Sequence, residues 1–173
     1  RLYRPRAVFA TIELFETAIN DMGYRRDRTF FIPNGIDTNV FTPPEPAEKE
    51  SLRRTIGDRH GVSLAENVVI WVNHLNDHKR PLLALRAFER LGRDRDDVSL
   101  LVVGNGPKRG EVEELIEETP DAHAVGFVDH DVVHDYYRAA DVNLVTSRSE
   151  GISNVVYEGM ACGLPAVTAT AFD

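Results

Sequence analysis

The chain has 173 residues, 42% hydrophobic and 28% charged, a soluble globular composition with room for one ordinary domain. Its net charge of −8, from 28 acidic against 20 basic residues, argues against general nucleic-acid binding, whose footprint is a basic face. No run of 18 apolar residues exists that could form a membrane-spanning helix, and the single Cys162 excludes an internal disulfide or a cysteine-built zinc site.

The start, Arg1-Leu2-Tyr3-Arg4-Pro5-Arg6, lacks Met and has no apolar signal region. Ala7 to Thr11 reads as a strand, Glu13 to Met22 as a helix and Arg28 to Ile32 as a strand. Pro33-Asn34-Gly35-Ile36-Asp37 is a turn, Thr42-Pro43-Pro44-Glu45-Pro46 a connector, and a short helix follows around Glu48 to Ile56. From Asn67 the period alternates. Asn67 to Val72 and Val98 to Val103 are continuous apolar runs, as in strands buried on both faces. Between them, Arg80 to Leu91 has its polar positions on one side and reads as an amphipathic helix.

Gly104-Asn105-Gly106-Pro107 reads mainly as a tight turn, and Lys108 to Glu118 as an acidic helix. Ala122 to Val128 is a third strand of this series. Asp131 to Ala140 is a short helix with a stripe at Val132, Val133, Tyr136, Tyr137 and Ala140, capped by Asp129 or Asp131. Val142 to Thr146 is a fourth strand. Ile152 to Gly163 reads as a helix with Ile152, Val155, Val156, Gly159 and Met160 on one face, stopped by Gly163 and Pro165. Ala166 to Thr170 is the fifth strand. Both ends of the chain read as cut, as in a fragment of a longer protein.

Strands alternating with helices predict an α/β fold, a Rossmann-like doubly wound parallel sheet. Ligands of such sheets bind beyond the carboxyl ends of the strands, where Asn73-His74, Gly104-Asn105, Phe127-Val128 and Ser147 to Ser153 gather. Ser147 to Glu158 carries the densest signal. The free N–H groups at the helix start, around Ile152 to Asn154, suit an anion or sugar hydroxyls. Glu150 lies beside them, and the helical period points Glu158 away from the apolar stripe, free for a ligand. The competing reading is a cap-region Glu and a solvated helix Glu. His74, His78, Lys79 and Arg80 form a local basic cluster suited to a diphosphate; a polar loop is the alternative, and a metal held by His74, Asp77 and His78 a weaker one.

Taken together, these segments resemble the family-four retaining glycosyltransferases, called group 1, which have two Rossmann-like domains in the GT-B architecture. Glu150-Gly151-Ile152-Ser153-Asn154-Val155-Val156-Tyr157-Glu158, continuing through Gly159-Met160-Ala161-Cys162-Gly163-Leu164-Pro165, looks like the family's Glu-x7-Glu motif and its sequel. Ile32 to Asp37 with Phe41 and Pro43, Val103 to Pro107, Phe127-Val128 and Tyr137 to Val142 agree in order and spacing. The resemblance runs from about Phe30 to the C-terminus.

The resemblance implies roles. Glu150 would hold the donor sugar and is the catalytic candidate. Glu158 would bind the ribose, Gly151, Ile152 and Ser153 would face sugar and phosphate, Lys79 would hold the diphosphate, and Val128 would lie at the nucleobase. In the family pattern Gly-Arg-Leu-x-x-x-Lys-Gly, this chain has Asn73, His74 and Arg80 in place of the first Gly, the Arg and the final Gly. His74 is a weaker, pH-dependent phosphate partner than Arg; Arg80 or Arg148 would compensate, or donor affinity falls. Gly159 replaces the usual Ala, a mild loss of helix propensity.

The implied organisation is a remnant of an N-terminal acceptor domain over residues 1–33 and a donor-binding domain over 34–173, truncated at its end. The implied activity is sugar transfer from a nucleotide sugar such as a UDP- or GDP-sugar, with retention. The isolated fragment is expected to be inactive, since the acceptor binds mainly to the missing domain. No metal or other cofactor and no nucleic-acid partner is expected. A cytoplasmic location is implied, at the inner membrane face if the protein associates peripherally with it. The alternatives are a nucleotide-sugar epimerase of the same fold and a nucleotide-binding module without catalysis. A response-regulator receiver ranks low, because Asn73-His74 and Phe127-Val128 stand where it needs acidic residues.

Overall fold

The computed structural model describes residues 7–10, 12–148 and 153–169. Two sheets are present among them. β1 (Ala7–Phe9) pairs in parallel with β2 (Thr29–Phe31), joined through α1 (Ile12–Asn20) and a 3-10 turn at Arg26–Arg28. α2 (Pro46–His60) leads to the second unit: β3 (Asn67–Val72), α3 (Pro81–Gly92), β4 (Val98–Val103), α4 (Arg109–Glu117), β5 (Ala122–Gly126), α5 (His130–Ala139), β6 (Val142–Val145), α6 (Asn154–Ala161) and β7 (Ala166–Thr168). Its five strands are all parallel, in the order β5-β4-β3-β6-β7. The doubly wound sheet expected from the alternating apolar runs is therefore present.

The pleat sorts the side chains. Val68 and Ile70 of β3 with Leu101 and Val103 of β4 face a layer built from Ile56 of α2, Val133, Tyr136 and Tyr137 of α5, and Cys162 after α6. Trp71 of β3 with Leu100 and Val102 of β4 face Ala84, Leu85 and Phe88 of α3 and Val112 of α4. All six residues of β4 are buried, which is why it reads as an unbroken apolar run rather than an alternating one.

α2 runs from Pro46 to His60, longer than the Glu48 to Ile56 expected. Polarity hides it, since only Ile56 and Gly57 are buried. Charge docks it instead. Asp141, at the head of β6, accepts from Lys49 Nζ at 2.6 Å and Arg53 Nη2 at 2.5 Å, and from the Val68 N–H at 2.7 Å. Burial pushes the Asp141 carboxyl up, but these donors outweigh it and hold the group below its ordinary value. Arg138 of α5 adds an ion pair to Glu48 at 2.6 Å.

α6 departs from the expected stripe. Glu158, Gly159 and Cys162 are buried, whereas Met160 is 58% exposed. The helix is wedged between β6 and α5, so the face turned inward carries a carboxylate and a glycine. Gly159 is placed there by packing: a Cβ at that position would stand 2.5 Å from Asn143 Nδ2 and 3.1 Å from Asn143 Cβ. In α5, Val132 is 39% exposed and Ala139 takes the inward place beside Val133, Tyr136 and Tyr137. No residue before Ile36 joins either core cluster among the described residues, and Val8, Met22 and Ile32 of the first unit are exposed.

Candidate active site

The chain builds outward from β3 to β4 and β5, then returns to place β6 on the other side of β3. The strand order reverses between β3 and β6, and the crevice beyond their carboxyl ends is where doubly wound sheets take ligands. The loops there are locked together by backbone hydrogen bonds. Asn73 N–H donates to Val103 O at 3.0 Å, Gly104 N–H to Gly126 O at 2.8 Å and Leu75 N–H to Asn105 O at 3.0 Å. Gly104 has φ +144°, and a Cβ there would stand 1.9 Å from Asn73 O. The glycine at the β4 end is thus required for the β3 loop to pass over it, consistent with a tight turn.

This crossing leaves a cleft of about 220 Å³ lined by Asn73, His74, Gly104, Asn105, Phe127 and Val128. Two predicted site residues, His74 and Val128, meet here. Phe127 is 71% exposed at its rim, an apolar ring held open to solvent.

Lys79 sits on the same β3–α3 loop. Its N–H donates to Asn76 Oδ1 at 2.9 Å and its carbonyl accepts from the Thr146 hydroxyl at 2.8 Å. Arg80 is not a spare phosphate ligand. Its Nε donates to Thr146 O at 2.6 Å and its Nη2 to Ser147 O at 3.3 Å. The Arg148 N–H also reaches across to His78 O at 2.9 Å, so the loops after β3 and β6 are braced against each other. Lys108, nearby, is occupied by Glu111 at 2.9 Å and Asp77 at 3.2 Å.

Glu150, Gly151 and Ile152 lie outside the described residues. Ser153 is the N-cap of α6, with extended φ −92° and ψ 103°. α6 begins at Asn154, two residues later than the Ile152 expected. Glu158 is not free, contrary to the expectation. It is 6% exposed, accepts from the Tyr137 hydroxyl at Oε2 (3.0 Å), and has His130 Nε2 at 3.3 Å from Oε1. The helical period placed it off the stripe, but α5 packs on that side as well. Burial, and then the Glu158 charge, push the Tyr137 hydroxyl well above its ordinary value, so it stays a donor. With one donor on each oxygen among the described residues, the carboxylate retains lone pairs for further donors.

Sequence reasoning missed His130 and Tyr137 as partners of Glu158. It also missed Asn34, whose Nδ2 donates to Asn154 Oδ1 at 3.1 Å and ties the Asn34-Gly35 turn to the start of α6. Asn34 was visible only as a turn residue. Two Asp-x-Asp triplets bear on metal binding. Asp94-Arg95-Asp96 precedes β4, at the opposite end of the sheet, and Asp129-His130-Asp131 opens α5. Among the described residues no group of three His, Cys, Asp or Glu side chains is arranged to hold a metal ion.

The described residues thus bring His74 and Val128 into one cleft, set Lys79 on the adjoining loop, and place Ser153 and Glu158 on α6. Comparison with known proteins bears on the family and the fold. The family model described as "Glycosyl transferases group 1" matches residues 66–172. A D-inositol 3-phosphate glycosyltransferase of Xylanimonas cellulosilytica is 31% identical over 94% of the chain, which spans only 40% of that relative's length. Among solved structures, Anabaena HepE in complex with UDP-glucose superposes with a TM-score of 0.73 at 24% identity, covering 98% of this chain and 46% of that one. The C-terminal domain of a group 1 glycosyl transferase family protein (LpcC) from Francisella tularensis gives 0.62 at 19% identity, covering 78% of this chain and 70% of that one. The sheet is thus one Rossmann-like half of a GT-B architecture, and the chain belongs to the group 1 glycosyl transferases.

Proposed function

We propose that this chain is the donor-binding half of a retaining glycosyltransferase that uses a nucleotide sugar. One observation carries the reading: the His74–Val128 cleft and the Lys79 loop are built by the loops at the carboxyl end of the sheet, around the point where strand order reverses, and α6, which follows β6 from that end, carries a buried, hydrogen-bonded Glu158. Anabaena HepE has been solved with UDP and with UDP-glucose, which makes a UDP-sugar the first donor to test. In this reading the nucleobase enters the cleft at Phe127 and Val128, and the ribose hydroxyls donate to Glu158. Lys79, His74 and the N–H groups at Gly151, Ile152 and Ser153 face the diphosphate and sugar. Glu150 holds the sugar near the reacting carbon.

Catalysis is then charge placement. As the glycosidic bond breaks, the leaving diphosphate gains negative charge, which Lys79 and the start of α6 stabilise without reorganising. The acceptor hydroxyl attacks from the leaving-group face and the diphosphate takes its proton, so the anomeric configuration is kept. No metal takes part in this scheme. Residues 34–173 serve as the donor domain, residues 1–33 belong to the connection from the acceptor-binding half, and the reaction runs in the cytoplasm, where nucleotide sugars are made. Among the described residues no helix is long and apolar enough to cross a membrane.

The test is turnover by a polypeptide of the relatives' length that carries this chain. UDP-, GDP- and ADP-sugars are offered with D-inositol 3-phosphate as the first acceptor, and the product anomer is read by NMR. Retention with activity unchanged in EDTA is expected. Inversion, or activity abolished by EDTA and restored by manganese, contradicts the mechanism. Interconversion of donor sugars without transfer favours the epimerase.

A further inference from the structure

Arg80 stands in a conformation that costs an ordinary residue. Its φ of 52° and ψ of 55° are left-handed, and it immediately precedes Pro81 at the start of α3. A glycine would take that backbone without penalty. An arginine there is strained unless its side chain returns something. It does: Nε and Nη2 fork onto the carbonyls of Thr146 and Ser147 at the end of β6. The Thr146 hydroxyl closes the loop in the other direction, its single hydrogen shared between Lys79 O at 2.8 Å and Arg80 O at 2.9 Å. Trp71 Nε1 donates to that same hydroxyl at 2.8 Å. Thr146 is 2% exposed and Trp71 is 1% exposed, so the hydroxyl's bonds are shielded from water, while Arg80 itself is half-buried.

We infer that Arg80 is a positioning residue for the diphosphate site: its guanidinium latches the Lys79 loop to the β6 end. The inference rests on the proposed nucleotide-sugar function for the role of Lys79. One side chain therefore ties the loop assigned to the diphosphate to the end of β6, from which the sequence continues towards Glu150. The guanidinium suits this because it is planar and presents parallel N–H groups to two carbonyls, which an ammonium does not.

The test compares Arg80→Gly and Arg80→Lys with the wild-type chain in two measurements. The first is calorimetric titration with UDP and with UMP. The second is amide hydrogen exchange of peptides covering residues 73–80 and 146–148. Arg80→Gly removes the latch and also the left-handed strain, so its melting temperature should not fall far. UDP affinity should drop about tenfold while UMP changes less than about twofold, and exchange in both peptides should quicken. Arg80→Lys keeps the charge but not the fork, and should resemble Arg80→Gly. Unchanged UDP affinity and exchange in Arg80→Gly overturn the inference. Loss of UDP and UMP binding in equal measure overturns it too, because the effect would then be general. Full UDP affinity in Arg80→Lys with quickened exchange overturns it in favour of a direct charge on the phosphate. If the wild-type chain binds neither UDP, GDP nor ADP, the proposed function fails, and the positioning role fails with it. The exchange data then still report whether the latch holds the two loops.

Discussion

Gly159→Ala separates the sequence view of α6 from the structural one. On propensity alone the change should stabilise a helix interior by about 1 kcal/mol. The structure predicts the opposite sign. The new methyl would sit 2.5 Å from Asn143 Nδ2 and 3.1 Å from Asn143 Cβ and Cγ. Asn143 has little freedom to yield. It is fully buried, its strand pairs on both sides with Ile70 and Ala166, and its amide donates to Val155 O at 2.8 Å. Turning the amide away strands buried polar groups at a cost of about 1–3 kcal/mol. Holding it in place overpacks the interface at about 1–3 kcal/mol. By either route, after the propensity gain, the net loss is up to about 2 kcal/mol. At about 2–4 °C per kcal/mol for a chain of this size, a loss near 2 kcal/mol lowers the melting temperature by about 4–8 °C. Thermal and urea unfolding of Gly159→Ala, Asn143→Ala and the double variant measure it. The second methyl should cost far less once Asn143 is gone, giving a coupling above about 1 kcal/mol. A stabilised Gly159→Ala, or strictly additive variants, would refute the reasoning.

Two further changes test other joints. Asp141→Asn should destabilise by about 1–3 kcal/mol at pH 7, below the figure for a fully buried pair because its side chain is 32% exposed. The folded Asp141 carboxyl is held below its unfolded value, so its contribution is complete above about pH 4 and lost as pH falls through the folded value. The gap between wild type and Asp141→Asn in urea unfolding should therefore close on acidification, and a gap that widens instead would contradict the ion-pair account. Tyr137→Phe leaves buried Glu158 with His130 as its only remaining described side-chain partner, and should cost about 1.5–3 kcal/mol in the same assay; no loss would mean the hydroxyl is not holding the carboxylate.

The sheet was legible because its strands are apolar runs. β3 and β4 fall where the sequence places them, since nothing but burial on both faces explains Asn67 to Val72 and Val98 to Val103. The turn at Gly104 was legible for the same local reason. The misreadings lie where tertiary contacts overrule local pattern. α2 is polar along most of its length and is docked by Asp141, 92 residues from Lys49 in sequence. α6 buries Gly159 as its stripe implies, but it also buries Glu158 and exposes Met160, which no hydrophobic stripe reveals. Arg80 read as one cation of a cluster facing a diphosphate, because neither its left-handed backbone nor the carbonyls of Thr146 and Ser147 can be seen from spacing. His130 and Tyr137 were placed on the right helix, but their meeting with Glu158 depends on how α5 and α6 pack.

The central claim is that the loops at the β3–β6 switch point, together with α6, bind a nucleoside diphosphate with Glu158 on its ribose. Titration calorimetry of the chain with UDP, GDP and ADP, repeated with the 2′-deoxy form of whichever binds and with Glu158→Gln, tests it most directly. Saturable binding of one nucleotide is predicted, weakened at least about tenfold both by loss of the 2′-hydroxyl and by Glu158→Gln. Binding that is indifferent to both changes in a folded chain, or no binding of any of the three, would contradict it.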